Sequence, residues 1–241
     1  MAIKNIFIAN RGDIARWVIS AVFPAVFLLL WAATSLAMTY PPPHMIKLRQ
    51  GYKLAISKPN RAGYVSRKLS KRGRTIFLDT TGIEYTDWSA VYPLALHFDQ
   101  DHDEILLVTG VGRELAGVIR LLVKGESVMS IDTLPFFIRG ASDLGSDGKA
   151  RFAGTWEFDE EWTDSLGIRR TTYNPILYYL LSGKGLKIDS AMTEAVNERI
   201  YGKFRGYDYI ESYPLPVSDL QLYLKELKQI KHSRKISLNG F

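Results

Sequence analysis

The chain of 241 residues is 46% hydrophobic and 23% charged, a balance that excludes wholesale disorder. Its formal net charge of +6 suits an anionic partner, whether lipid, nucleic acid or an acidic protein. It has no cysteine, which excludes disulfides, cysteine nucleophiles, iron–sulfur clusters and cysteine zinc sites.

Residues 1–16 form a short N-terminal segment. Residues 17–38 then read WVISAVFPAVFLLLWAATSLAM, 22 positions without a charge. As a helix this stretch spans roughly 33 Å, enough for a hydrocarbon core of about 30 Å. Pro24 predicts a kink, which lipid tolerates, and Trp17 and Tyr40 bracket the stretch as interfacial aromatics do. A signal peptide cleaved near Ala37 is one rival, but such peptides carry a shorter apolar region of about 7–15 residues. A buried core helix is the other, and at this length it would show a polar face. The expectation is a single transmembrane helix over 17–38, placing the protein in the plasma (inner) membrane.

Orientation rests on a near-balanced count. Lys4, Arg11 and Arg16 precede the span; Lys47, Arg49, Lys53 and Lys58 follow it. The longer downstream basic run argues for a cytoplasmic domain. A short N-terminal tail retained inside argues for the other side, and the expectation leans to the non-cytoplasmic side.

Tyr40-Pro41-Pro42-Pro43 predicts a short polyproline II post, read as a spacer rather than a proline-recognition ligand. Between Tyr40 and Leu78 there are ten Lys or Arg and no Asp or Glu. Residues 39–73 are therefore expected to be a basic tether. Its Lys47, Arg49, Lys53, Arg67, Lys68, Lys71 and Arg72, with Arg74 just beyond, are candidates for contact with a membrane surface or an acidic partner. Nucleic acid is disfavoured, because lipid adjoins the strip directly. A solvated linker is the bland alternative.

Residues 74–241 are expected to be one soluble α+β domain, with antiparallel strands first and helices in the C-terminal half. Strands are predicted over 74–80, 83–88, 90–98, 104–109, 128–138 and 149–158, with a hairpin joining 90–98 to 104–109. Segment 111–123 is ambiguous, because Leu115, Val118, Ile119 and Leu122 share a helical face while Gly112 and Gly117 weaken a helix. A short helix is expected over 176–181. Another is capped by Asp189 or Ser190 and ends near Gly202. Ser218 is expected to cap a last helix, with Leu220, Tyr223, Leu224, Leu227 and Ile230 as its apolar stripe.

The densest set of ligating residues is His97, Asp99, Asp101, His102, Asp103 and Glu104. As a calcium loop it fails, since position six is Glu104 and position twelve Gly110. The bland reading is an acidic hairpin loop. Gly110-Val111-Gly112 lacks the third glycine of a dinucleotide fingerprint, where Leu115 stands. Carboxylates over 156–162 could serve glycoside hydrolysis, but Arg169 and Arg170 favour local pairing. No cofactor, metal or catalytic residue is assigned. The expected function is a membrane-anchored protein–protein interaction module, as a subunit of a membrane complex or an inhibitory protein stationed there. Its rival is a membrane-bound hydrolase acting on lipid or glycan through carboxylates.

Overall fold

The computed structural model describes residues 44–82, 91–99, 102–111, 114–156, 161–215 and 217–238. The expected span over 17–38 and its proline post lie outside them. Among the described residues no helix is long and apolar enough to cross a membrane.

Among the described residues fifteen strands pair with antiparallel neighbours. The first sheet is a meander of β1 (His44–Lys47), β2 (Tyr52–Ile56), β3 (Val65–Lys71) and β4 (Arg74–Thr81). Arg72 and Gly73, both at positive φ, make the two-residue turn that sets the β3–β4 register. The second sheet is another meander: β5 (Leu94–His97), β6 (Asp103–Val111), β7 (Glu114–Lys124) and β8 (Ser127–Leu134). The third has the order β14-β13-β10-β9, with β9 (Phe136–Phe137), β10 (Arg151–Thr155), β13 (Leu177–Ser182) and β14 (Gly185–Ile188). A small fourth sheet orders β11 (Glu161–Thr163), β12 (Arg169–Tyr173) and β15 (Ile210–Pro214). Helices α1 (Ser190–Tyr201) and α2 (Val217–His232) flank β15 in sequence.

The side-chain alternation of the strands explains how the layers stack. On β6, Ile105 and Leu107 pack against Tyr52, Leu54, Val65 and Leu69 of the first sheet. Their neighbours Leu106 and Val108 point the other way, into a core with Phe137, Phe152, Leu177 and Tyr179 of the third sheet. The same division recurs on β13, where Leu177 and Tyr179 face the second sheet while Tyr178 faces Val196, Ile200, Tyr223 and Ile230 of the helices. The result is four layers: first sheet, second sheet, third sheet, helices. Strands β6, β10 and β13 are buried on both faces, so β6 and β13 read as near-continuous apolar runs rather than alternating ones.

The expected antiparallel sheets and late helices are present. The expected hairpin is β5–β6, and α1 is capped as anticipated: Asp189 accepts from the Met192 N–H, and Gly202 ends it in the left-handed region. From Glu114 onward the ambiguous segment is strand β7, because it pairs with both β6 and β8 across the middle sheet. Three expectations need correction. Residues 176–181 are strand β13, not helix, buried between two layers. Helix α2 starts at Val217, so Ser218 lies inside its first turn. The supposed tether holds β1, β2 and β3, and the boundary expected at 73/74 falls inside a hairpin. Tyr52, Leu54, Ile56, Val65 and Leu69 alternate with exposed or half-buried residues and bury one face, a period that the density of positive charge obscured.

The two-sided burial of β6 predicts that Leu106→Ala and Leu107→Ala each destabilise by about 2–5 kcal/mol. Chemical denaturation followed by circular dichroism measures this. A near-neutral effect at either position contradicts a middle layer, since a half-solvated strand would tolerate one of the two.

Candidate functional site

The acidic loop resolves into two carboxylates with different surroundings. Asp103 opens β6 and leaves the middle sheet toward the first one. Its Oδ2 accepts from Tyr52 OH at 2.6 Å and Lys71 Nζ at 2.7 Å, and its Oδ1 lies 2.7 Å from His97 Nδ1. An ionised carboxylate only accepts, so Nδ1 carries the hydrogen there. Burial alone would raise the Asp103 pKa; the Lys71, Tyr52 and His97 donors outweigh it and hold the carboxyl below its ordinary range. Burial, together with the Asp103 charge, pushes the Tyr52 phenol far up.

Glu104 leaves β6 through the opposite face. Its Oε1 accepts the Leu186 N–H of β14 at 3.2 Å and sits 3.4 Å from His102 Nε2, while Arg120 Nη1 lies 4.0 Å from Oε2. Arg120 in turn donates to the Leu186 carbonyl at 2.8 Å and to Asp132. Both polar groups of Leu186 on edge strand β14 are thus closed by side chains of the middle sheet. Gly185 is required here: a Cβ would come within 2.5 Å of Glu104 Oε1. Burial raises the Glu104 pKa despite Arg120, the Leu186 N–H and His102. Glu104 Oε2 is enclosed and makes no hydrogen bond. Among the described residues no group of three or more His, Asp or Glu is placed to hold a metal ion. Asp103 and Glu104 join layers to one another.

The basic strip separates into two classes. Arg67 is wholly buried; its guanidinium forms a two-pronged pair with Asp79 of β4 and donates to the Val108 carbonyl of β6. Lys71 is buried on Asp103. These two candidates serve internal pairs rather than a partner, because their strand positions face inward in register with Leu69. Arg49 is exposed and donates to the Leu238 carbonyl at 2.7 Å, and Arg74 is 3.8 Å from Glu126. Lys47, Lys53, Lys68 and Arg72 are exposed, and no carboxylate among the described residues pairs with them. The β1–β2 and β2–β3 registers bring Lys47, Lys53 and Lys68 onto the outer face of the first sheet.

A third feature escaped the sequence reading. Strands β11 and β12 form a hairpin whose tip is Leu166, 79% exposed. Asp164 Oδ1 accepts the Leu166 and Ile168 N–H groups, and Oδ2 accepts from Arg170 at 3.0 Å. The Ile168 N–H foremost, then Arg170 and the Leu166 N–H, hold the Asp164 carboxyl below its ordinary range against a smaller desolvation. Trp162 stands opposite Arg170, and the Asp164–Ile168 backbone bond extends the same ladder. Period-two alternation then places Trp162, Ile168 and the Arg170–Asp164 pair on one face. Arg169 pairs with Glu161, so the local charge pairing expected here is present. Of the other carboxylates considered, Asp101, Glu157, Asp159 and Glu160 lie outside the described residues. The one available signal was the turn sequence Asp164-Ser165-Leu166-Gly167 between apolar neighbours.

The chain matches no known family model, no characterised protein and no solved structure.

Two predictions follow from the pairs. Asp103→Asn leaves Lys71 buried without its counter-charge and costs about 3–5 kcal/mol at pH 7. A depressed carboxyl pKa contributes stability above the unfolded value and loses it as pH falls below about 4. Denaturant midpoints against pH should therefore show an acid-limb loss in the parent that the variant lacks. Arg67→Ala costs about 3–5 kcal/mol by stranding Asp79, while adjacent Lys68→Ala stays within about 0.5 kcal/mol. Equal effects at 67 and 68 would contradict the inward–outward assignment.

Proposed function

We propose that this chain is a single-pass membrane-anchored protein–protein interaction module, held in a membrane complex or stationed at the membrane as an inhibitor. Residues 17–38 supply the anchor. The four-layer domain presents the β11–β12 hairpin to a partner protein. The observation that carries this reading is the apolar tip on a braced turn: Leu166, Ile168 and Trp162 stand exposed while Asp164 fixes the backbone beneath them. An exposed aromatic with neighbouring aliphatics and an arginine is the composition of interface anchors. Bracing reduces the entropy lost on docking, so the contact needs little ordering. The Asp103 and Lys71 pair favours this reading over a carboxylate-driven hydrolase, because the Asp103 oxygens are already engaged by three side chains of the chain itself.

The test uses the full chain purified in mild detergent from its native membrane, with the co-purifying partner quantified. Leu166→Arg and Ile168→Arg should each reduce retained partner at least tenfold, a loss of about 1.4 kcal/mol or more. Both leave the thermal midpoint unchanged, because the side chains are already solvated. Full retention of the same partner by both variants would contradict the hairpin as its docking element.

A further inference from the structure

The outer face of the first sheet carries an arrangement that folding does not explain. Lys47 on β1 stands directly opposite Lys53 on β2. Like charges in that position repel and weaken a sheet. Lys68 on β3 stands opposite Ala55 and Leu78, in a row that runs Met45, Ala55, Lys68, Leu78 across all four strands. Met45 is 60% and Leu78 65% exposed. The nearest acidic residue in the sheet, Asp79, turns inward to Arg67. The face therefore combines three lysines with two large apolar side chains, and among the described residues it carries no carboxylate.

Resting on the anchor reading above, we infer that this face lies on an anionic bilayer surface, with the three lysines among the headgroups and Met45 and Leu78 directed toward the acyl boundary. Chain connectivity argues for that occupant. β1 is an edge strand and begins at His44, six residues beyond Met38. Six residues reach at most about 22 Å in any conformation. Chain connectivity thus keeps the start of β1 within about 22 Å of the end of the apolar stretch, short enough a tether for the face to reach a headgroup layer. Three lysines at an anionic surface strengthen association on the order of 100-fold. The Lys47–Lys53 repulsion is relieved there by lipid phosphate. Exposed apolar side chains beside the lysines suit the interface rather than bulk water.

The experiment reconstitutes the full chain into vesicles of phosphatidylcholine alone or mixed with phosphatidylglycerol. Amine-reactive labelling is read by mass spectrometry at Lys47, Lys53 and Lys68, each relative to exposed Lys149, Lys184 and Lys187. The ratio cancels any fraction of chains facing the vesicle interior. Phosphatidylglycerol should lower the three ratios about fivefold, and high salt should restore them. Equal ratios in both lipids, in a chain that resists alkaline carbonate extraction, overturn the inference and leave the anchor standing. Release by carbonate overturns the anchor, and the inference with it. Protection in phosphatidylcholine vesicles that appears only on adding RNA or an acidic peptide assigns the face to another partner and also overturns it.

Discussion

Asp103 and Glu104 are neighbours on one strand, so their side chains leave the middle sheet through opposite faces. Asp103 meets Tyr52 and Lys71 of the first sheet, and Glu104 meets the Leu186 N–H of the third. A single dipeptide thus ties three layers together at one end of β6. The apolar residues that follow it, from Ile105 to Val108, continue the same two-way division without polar atoms. Hydrophobic burial supplies most of the driving force for such stacking, but it is not directional. The charged pairs fix which strand faces which, since a shift of one residue would exchange their partners and strand buried charges.

The two carboxylates respond oppositely to pH. Asp103, held ionised by its donors, contributes stability above the ordinary carboxyl range. Glu104, desolvated and only partly compensated, contributes below it and opposes folding as pH rises. Their opposition is a consequence of geometry: one side chain meets an ammonium at 2.7 Å, the other a guanidinium at 4.0 Å.

With the interior pairs accounted for, two exposed features among the described residues stand out. One is the lysine face of the first sheet, next in sequence to the apolar N-terminal stretch. The other is the braced hairpin carrying Leu166. They lie on different sheets, β1–β4 and β11-β12-β15, so the proposed lipid contact and the proposed protein contact use separate elements. The proposed anchor would raise the effective concentration of the second element at the membrane, so that a modest contact would suffice.

Sequence alone determined the uncharged stretch over 17–38, the absence of cysteine chemistry, strands β4, β5, β6, β8 and β10, the caps of α1 and the charge pairing around Arg169. Each depends on composition or on residues a few positions apart, where local spacing carries the information. It could not separate Arg67 and Lys71 from Lys68. All three are basic residues in a basic run, and only pairing with β4 and packing on β6 turns two inward. Nor could it identify β13 as a strand, because a short apolar run reads alike in a buried helix and in a sheet covered on both sides. The tertiary structure decided these points because burial is set by partners distant in sequence: Arg67 against Asp79 and Val108, Lys71 against Asp103, Glu104 against Leu186.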